Sequence, residues 1–150
     1  MVLDSKKRPQ GTFDSNLELD SGHQITGTGT NYGEDSDNVD IVLDVGTGLF
    51  KGMAIIDVSA ISVANDDEVH EFSIQGGDDA DFTNEVPLAS LKIGADGSIT
   101  GLDNDDEAGR YKLYFDNERN GTYYPFLRLQ LVTTGTAEDI TFSSYVVPIN

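Results

Sequence analysis

The chain has 150 residues, a length typical of one domain, and its 27 acidic and 9 basic side chains give a formal charge of −18. This charge disfavours binding to nucleic acid, where lysine and arginine must neutralise phosphates, and binding to anionic membranes. The sequence contains no cysteine, which excludes disulfides, thiolate metal ligands and cysteine nucleophiles. No apolar run approaches the roughly 18 residues of a membrane-spanning helix, so we expect a soluble protein.

The N-terminal quarter of the chain, residues 1–37, contains few large apolar side chains and several glycine-rich loop sequences. We expect it to form an extended polar arm with at most short strands, ordered only where something holds it. Lys6, Lys7 and Arg8 form its basic cluster, and Phe13 is the one large aromatic side chain of the first thirty residues. These four residues are therefore candidates for contact with a partner.

Period-two alternation of apolar and polar residues, which is typical of strands, begins at Asn38. The apolar members of this first alternation are Val39, Ile41, Leu43 and Val45. The pattern predicts a half-buried strand that ends before the Gly46-Thr47-Gly48 turn. Lys51 to Ser59 is a more continuous apolar run, which favours a strand in the interior of a sheet.

Two further strands are predicted in the middle of the chain. Val69 to Gln75 alternates, and it places His70 on the same face as apolar residues, so His70 is interpreted as a strand residue rather than a metal ligand. Val86 to Ile93 is mixed, and Pro87 indicates an edge strand because proline cannot donate a hydrogen bond to a sheet. A single helical turn over 88–93 is the alternative for this segment.

The last third of the chain, from Arg110 to Asn150, predicts three strands separated by turns at Asn120-Gly121 and Gly135-Thr136. The side chains that share one face are Tyr111, Leu113 and Phe115 in the first strand and Leu127, Leu129 and Leu131 in the second. The third strand covers 140–147. No helical period is sustained over ten residues anywhere in the chain.

The chain is therefore predicted to be all-β: a single-domain jelly-roll or β-sandwich of about eight antiparallel strands. The predicted sandwich covers residues 38–150 and follows the extended arm of residues 1–37.

The acidic loops are the candidates for metal binding, because calcium prefers carboxylate oxygens. The candidate ligands are Asp78, Asp79, Asp81, Asp103 and Asp105. The EF-hand pattern fails, since Ala108 and Tyr114 stand where that loop needs glycine and glutamate, counting from Asp103. No residue pattern predicts a catalytic constellation or a cofactor site, so we expect a protein that is not an enzyme and that has no cofactor.

Several short segments occur in a characteristic order along the chain. They are Met1-Val2-Leu3-Asp4, Gln75-Gly-Gly-Asp-Asp-Ala-Asp-Phe-Thr83, Pro87-Leu-Ala-Ser-Leu91, Gly109-Arg-Tyr111, Tyr124-Pro-Phe-Leu-Arg-Leu129, Gly135-Thr136 and 142–147. Their succession resembles the capsid cement, or decoration, proteins of tailed bacteriophages, of the jelly-roll type known from a Bordetella phage. The resemblance spans nearly the whole chain.

The resemblance implies a jelly-roll trimer that binds the outer surface of a capsid and bridges neighbouring major capsid subunits. The implied partners are the major capsid protein and further copies of this chain, with no direct nucleic-acid or membrane contact. The implied location is the virion surface, after synthesis in the host cytoplasm. Candidate capsid or oligomer contacts are Lys6, Lys7, Arg8, Phe13, Tyr123 and Tyr124.

One alternative function stays open at the level of the sequence. A calcium-assisted carbohydrate-binding or adhesin β-sandwich, displayed on a virion or a cell, would use the acidic loops together with exposed aromatic rings. The tyrosines available for such a sugar platform are Tyr32, Tyr123 and Tyr124.

Overall fold

The computed structural model of the protein describes residues 15–63, 65, 67–95, 107–136 and 139–149. A short 3-10 turn (Ser15–Leu17) precedes the strands of this part of the chain. The strands are β1 (Glu18–Ile25), β2 (Gly29–Tyr32), β3 (Leu43–Asp44), β4 (Lys51–Ile61), β5 (Val69–Gly77), β6 (Val86–Gly94), β7 (Gly109–Asp116), β8 (Glu118–Arg119), β9 (Thr122–Tyr123), β10 (Phe126–Thr134) and β11 (Ile140–Pro148).

Two antiparallel sheets form the two layers of a sandwich. Sheet A has the strand order β1-β11-β4-β7, and sheet B has the order β2-β10-β5-β6, with β3 also paired to β10. The chain passes repeatedly between the sheets, and the first long strands pair with the last ones in both layers. This order is that of a jelly roll. The prediction of an all-β jelly-roll sandwich is confirmed.

The hydrophobic core lies between the two sheets and follows the period-two alternation of the strands. On β10 the inward residues Leu127, Leu129 and Leu131 are at most 1% exposed, as the sequence predicts. Phe72 of sheet B and Phe142 of sheet A meet edge to face, with ring centroids 5.0 Å apart. This contact joins the layers directly, since each ring belongs to a different sheet.

His70 and Pro87 have the structural positions that the sequence predicts. His70 lies on β5, is fully buried, and its Nδ1 is 3.4 Å from Thr133 Oγ1 on the paired strand β10. Pro87 lies on β6 at the edge of sheet B, and the helical alternative for 88–93 is wrong because these residues pair with β5.

Within the described residues the first strand begins at Glu18, so the prediction of an arm that extends to residue 37 is wrong for the described part of that segment. β1 pairs with β11 and β2 pairs with β10. Leu19 is fully buried and Ile25 is 6% exposed. Register shifts between Glu18 and Asp20, and between Asp20 and His23, interrupt the alternation that sequence analysis depends on. Residues 1–14, with Lys6, Lys7, Arg8 and Phe13, lie outside the described part.

The predicted strand over residues 38–45 is also wrong in its extent, because only Leu43 and Asp44 form regular pairs there. The Asp35 carboxylate accepts hydrogen bonds from the backbone amides of Asp37 and Val39, at 2.8 and 3.0 Å. This side-chain turn favours bent backbone over an extended ladder. Asn38 consequently has a φ of 61°.

The sequence predicts a single turn at Asn120-Gly121 between two strands, and it does not predict the separate hairpin β8–β9. Tyr123 belongs to β9, and β10 begins at Phe126. The Asn120-Gly121 turn itself is confirmed, since both residues have positive φ as a two-residue hairpin turn requires. Among the described residues, no helix reaches the length and apolarity that a membrane crossing needs.

Leu19→Ala tests whether β1 belongs to the folded sandwich. Because Leu19 is fully buried in the core, its truncation should lower the free energy of unfolding by about 2–5 kcal/mol, measured by urea denaturation. Leu49→Ala is the matched control, since Leu49 is 53% exposed and should lose far less stability. Equal effects of the two substitutions would show that the segment around Leu19 does not contribute to the folded sandwich.

Candidate interaction surface

One end of the sandwich is organised by the side chain of Asn117, which directly follows β7 and is fully buried. Its Oδ1 accepts a hydrogen bond from the Phe50 amide at 2.7 Å. Its Nδ2 donates to the carbonyls of Gly48 at 2.9 Å and Tyr124 at 3.1 Å. A single amide therefore ties the loop that enters β4 to the segment that enters β10.

Backbone hydrogen bonds reinforce this connection. The Asn117 amide donates to the Phe50 carbonyl at 3.0 Å, and the Tyr124 amide donates to the Asn117 carbonyl at 2.8 Å. The Val45 amide donates to the Pro125 carbonyl at 2.8 Å. Loops held by this many buried or shared hydrogen bonds have little freedom to rearrange, so their exposed side chains are presented in a fixed geometry.

Leu49 and Tyr123 are two exposed apolar side chains at this end, 53% and 47% exposed respectively. The residues next to them in sequence, Gly48 and Tyr124, both accept hydrogen bonds from the Asn117 amide, so the two backbone segments that carry them lie side by side. We call Leu49 and Tyr123 the loop-end surface. Large half-exposed apolar side chains on rigid backbone are typical of protein contact sites.

Of the two tyrosines predicted as contacts, Tyr123 and Tyr124 have different roles. Tyr123 projects into solvent, whereas Tyr124 is half-buried against β5. A Cβ added to Gly76 would lie 2.8 Å from the Tyr124 Cβ, so the tyrosine packs directly on the glycine backbone. Tyr124 therefore supports the loop-end surface, and Tyr123 belongs to it.

A second feature, on the outward face of sheet B, fixes the acidic loop between β5 and β6. The Arg128 guanidinium lies between the rings of Tyr32 and Phe82, at 4.0 and 4.2 Å from their centroids. Its Nε donates to Gln75 Oε1 at 3.0 Å, and it forms an ion pair with Glu85. Cation–π and ionic contacts together hold Phe82 and Glu85 of the loop against the sheet. One face of the Tyr32 ring, which the sequence offered as a candidate for sugar binding, is therefore covered by the Arg128 guanidinium.

The described calcium candidates take part in the hydrogen bonds of the same loop. Asp79 Oδ1 accepts from the amides of Asp81 and Thr83, both at 3.1 Å. The hydrogen bond from Thr83 leads the effects that hold the pKa of Asp79 below its ordinary value. Asp78 accepts from the Asn84 side chain at 3.3 Å. Within the described residues, no three acidic or histidine side chains are grouped to hold a metal ion.

Asp103 and Asp105, the other calcium candidates, lie outside the described residues.

The outward face of sheet A carries an open groove of about 570 Å³. At its base Arg110 Nε and Nη2 donate to the two carboxylate oxygens of Asp57, at 2.8 and 3.1 Å. This bidentate pairing raises the pKa of Arg110. The remaining lining combines hydroxyl side chains, including Ser21, Thr141 and Ser143, with the apolar residues Val58 and Phe142. Asp57 and Arg110 lie directly opposite each other on β4 and β7, so their ion pair favours the observed register of these strands.

Asp20 and His23 form a second polar pair, which the sequence did not reveal because both residues lay in the predicted arm. His23 Nδ1 is 2.7 Å from Asp20 Oδ2. The buried Asp20 carboxylate also accepts from the amides of Gly22 at 2.8 Å and Glu34 at 3.1 Å. Burial raises the pKa of Asp20 against the opposing effect of these hydrogen bonds. The group thus connects β1 to the loop after β2.

No protein-family model and no curated protein matches the chain. Among solved structures it is similar to the CBM22-1-GH10 modules of Clostridium thermocellum endo-1,4-beta-D-xylanase 10B complexed with xylohexaose. The similarity covers 91% of this chain and 27% of that chain, with 12% identity and a TM-score of 0.41. A likeness at this level carries no argument about function.

Asn117→Ala tests whether one side chain organises the loop end. The substitution leaves the Phe50 amide and two carbonyls without their partner, so the free energy of unfolding should fall by about 2–4 kcal/mol. Hydrogen exchange of the Phe50 amide should accelerate in parallel. The exposed Asn84→Ala is the control. A stability loss no larger than that of the control would refute the role of Asn117.

Asp79→Asn tests the charge that caps the acidic loop, since the amide oxygen can still accept both backbone hydrogen bonds. The pKa of Asp79 is lowered below 3.8 in the fold, so its ionised form stabilises the fold above about pH 3.8. That contribution is lost as the pH falls through the lowered pKa. Wild type should be more stable than the variant at pH 7, and the difference should vanish in acid.

The measurement is the urea midpoint from pH 7 to pH 2. Asp78→Asn is the control, because the Asp78 carboxylate bonds a side chain across the loop. If the gap between wild type and the Asp79 variant stays constant over this range, the capping charge has no role in stability.

Proposed function

We propose that this chain is a capsid cement protein, which binds the outer surface of a tailed-phage capsid and stabilises the junctions between major capsid subunits. The observation that carries the proposal is the loop-end surface, where Leu49 and Tyr123 are half-exposed on loops bridged by Asn117. The ordered resemblance of the sequence segments to cement proteins supplies the identity of the partner. The jelly-roll fold is the one that this resemblance implies.

A rigid apolar contact suits a protein that must find a preformed shell. Because the loops of Asn117 are already ordered, binding costs little additional conformational entropy. Tyrosine contributes a large contact area with few rotatable bonds, and it is common among residues that dominate binding energy. A ligand that binds only the assembled shell stabilises it by mass action, in proportion to the logarithm of its concentration over its Kd.

A trimer would strengthen this effect. Three loop-end surfaces held in one particle convert the second and third contacts into intramolecular events, so modest single contacts yield high avidity. We therefore propose that the protein acts as a homotrimer on the shell. The basic run Lys6-Lys7-Arg8 is proposed as an additional contact, which would suit an acidic patch on the capsid.

The strong negative charge is compatible with an external position. A chain with a formal charge of −18 is repelled by nucleic acid, but a protein on the outside of the shell need not touch the packaged genome. Asp57 pairs with Arg110, and Asp20 pairs with His23, within the fold. They therefore act as structural elements in this proposal rather than as contacts to the capsid.

The proposal is tested with virions of the phage that encodes this chain. The protein should be retained at a copy number comparable with that of the major capsid protein, measured by quantitative mass spectrometry of purified particles. Removing its gene should lower the temperature at which the shells open. Light scattering should show a trimer in solution or on released shell fragments. Retention of only a few copies per particle would exclude a cement role.

Two matched tyrosine variants locate the contact. Tyr123→Ser should weaken co-sedimentation with shells that lack the protein by roughly thirty-fold, the effect of losing about 2 kcal/mol at a central contact. Tyr114→Ser removes a tyrosine that is 62% exposed on sheet A and should leave binding unchanged. The reverse pattern would move the contact to sheet A. Calcium-dependent glycan binding without shell binding would favour the carbohydrate-binding alternative.

A further inference from the structure

The hairpin β8–β9 is separate from the two main sheets. It forms a two-stranded sheet of its own with two residue pairs, Glu118 with Tyr123 and Arg119 with Thr122. The Arg119 guanidinium donates to the Pro87 carbonyl of β6, which connects the hairpin to the edge of sheet B. A two-stranded ladder of this length is marginally stable, so the hairpin can open locally while the sandwich stays folded.

The turn of this hairpin places a side-chain amide next to an unhindered backbone amide. Asn120 and Gly121 are both exposed, and their φ angles are 53° and 82°. A Cβ added to Gly121 would meet no atom within 4 Å, so the space around the turn is open. The backbone nitrogen of Gly121 and the Asn120 side-chain Cγ are separated by the three atoms that a five-membered imide ring needs. Glycine allows this ring closure because it has no side chain to obstruct the nitrogen.

Glu118 supplies a base at the reacting nitrogen. Its Oε1 accepts a hydrogen bond from the Gly121 amide at 2.6 Å. This distance is within the reach of about 2.6–3.2 Å that a general base needs to the proton that it removes. The amide proton that must leave before ring closure is therefore already directed at a carboxylate. Glu118 is itself exposed, so water has access to the group.

We propose that Asn120 is a site of spontaneous conversion to aspartate and isoaspartate, with the Glu118 carboxylate as its general base. The Gly121 nitrogen forms a bond to Asn120 Cγ and gives its proton to Glu118. The bond from Cγ to Nδ2 then breaks, and the departing nitrogen takes the proton and leaves as ammonia. Water adds to either carbonyl of the imide ring and opens it to aspartate or isoaspartate. No oxidant or reductant is needed.

The conversion would change the loop-end surface without an enzyme. Each event adds one negative charge to a chain with a formal charge of −18. Isoaspartate also inserts a methylene group into the main chain of a two-residue turn, which alters the register that the turn sets. Tyr123 pairs with Glu118 across this turn, so its direction depends on that register. The modification site itself does not depend on the proposed function.

The experiment ages the purified full chain at neutral pH and physiological temperature and follows it by peptide mapping and mass spectrometry. The peptide that contains Asn120 should gain one dalton and become a substrate for an isoaspartate-specific methyltransferase. Asn38 is the internal control, because it is also exposed, has a φ of 61°, and precedes an amide that donates to a carboxylate. The following residue there is Val39, whose branched side chain obstructs the nitrogen. Asn38 should therefore convert far more slowly.

Glu118→Gln separates the base from the sequence pair Asn120-Gly121. The glutamine oxygen can still accept the hydrogen bond from Gly121, but it cannot take up the proton. A positioned general base contributes about 10²–10⁴-fold in enzymes, and we expect a smaller effect here, roughly tenfold slower conversion of Asn120 in the variant. In guanidinium chloride the two proteins should convert at similar rates, because the hairpin that holds Glu118 beside Gly121 is lost.

Three results would overturn the proposal. Conversion of Asn120 at the rate of Asn38 would show that the turn is not a reactive site. Equal rates for wild type and Glu118→Gln in the folded state would remove the general base. A difference of the same size in the folded and unfolded proteins would show an effect of local charge, with no contribution from the hairpin geometry.

Discussion

The pairing of the first strands with the last ones is the constraint on which the rest of the structure depends. β1 lies against β11 in sheet A, and β2 lies against β10 in sheet B. Both sheets are thereby completed by contacts between distant parts of the chain, and Leu19 is carried into the core between them. Contacts of such long sequence separation cost loop-closure entropy, which only the burial of a shared core can offset.

Once the two sheets are formed, alternation decides which surfaces remain for a partner. Each strand directs half of its side chains inward, and parts of both outward faces are also covered. Arg128 fixes the acidic loop over sheet B, and the cluster around Met53 is buried over sheet A. The loop end is different, because Leu49 and Tyr123 stay half-exposed on a backbone held by Asn117. Exposure and rigidity coincide there, which favours this surface for recognition.

The sequence predicted the parts of the fold in which one local pattern is uninterrupted. The strict alternation of β10 identified its buried face, and Pro87 identified an edge. β1 was missed because bulges break its alternation, and the strand over 38–45 was predicted wrongly because the Asp35 turn overrides its apolar pattern. Tyr123 could be selected as an aromatic near a turn. The role of Asn117 could not, because its partner Phe50 is 67 residues away.

The net negative charge of the chain opposes association between its copies. Several of its basic side chains are already used within the fold, through the pairs Lys92–Glu71, Arg110–Asp57 and Arg128–Glu85. The surplus of acidic groups therefore repels other copies in solution, over a distance set by salt screening. Any association between copies must therefore overcome this repulsion by short-range contact. An apolar pair on rigid loops, such as Leu49 and Tyr123, acts only at contact distance, so it favours a partner whose surface fits it closely.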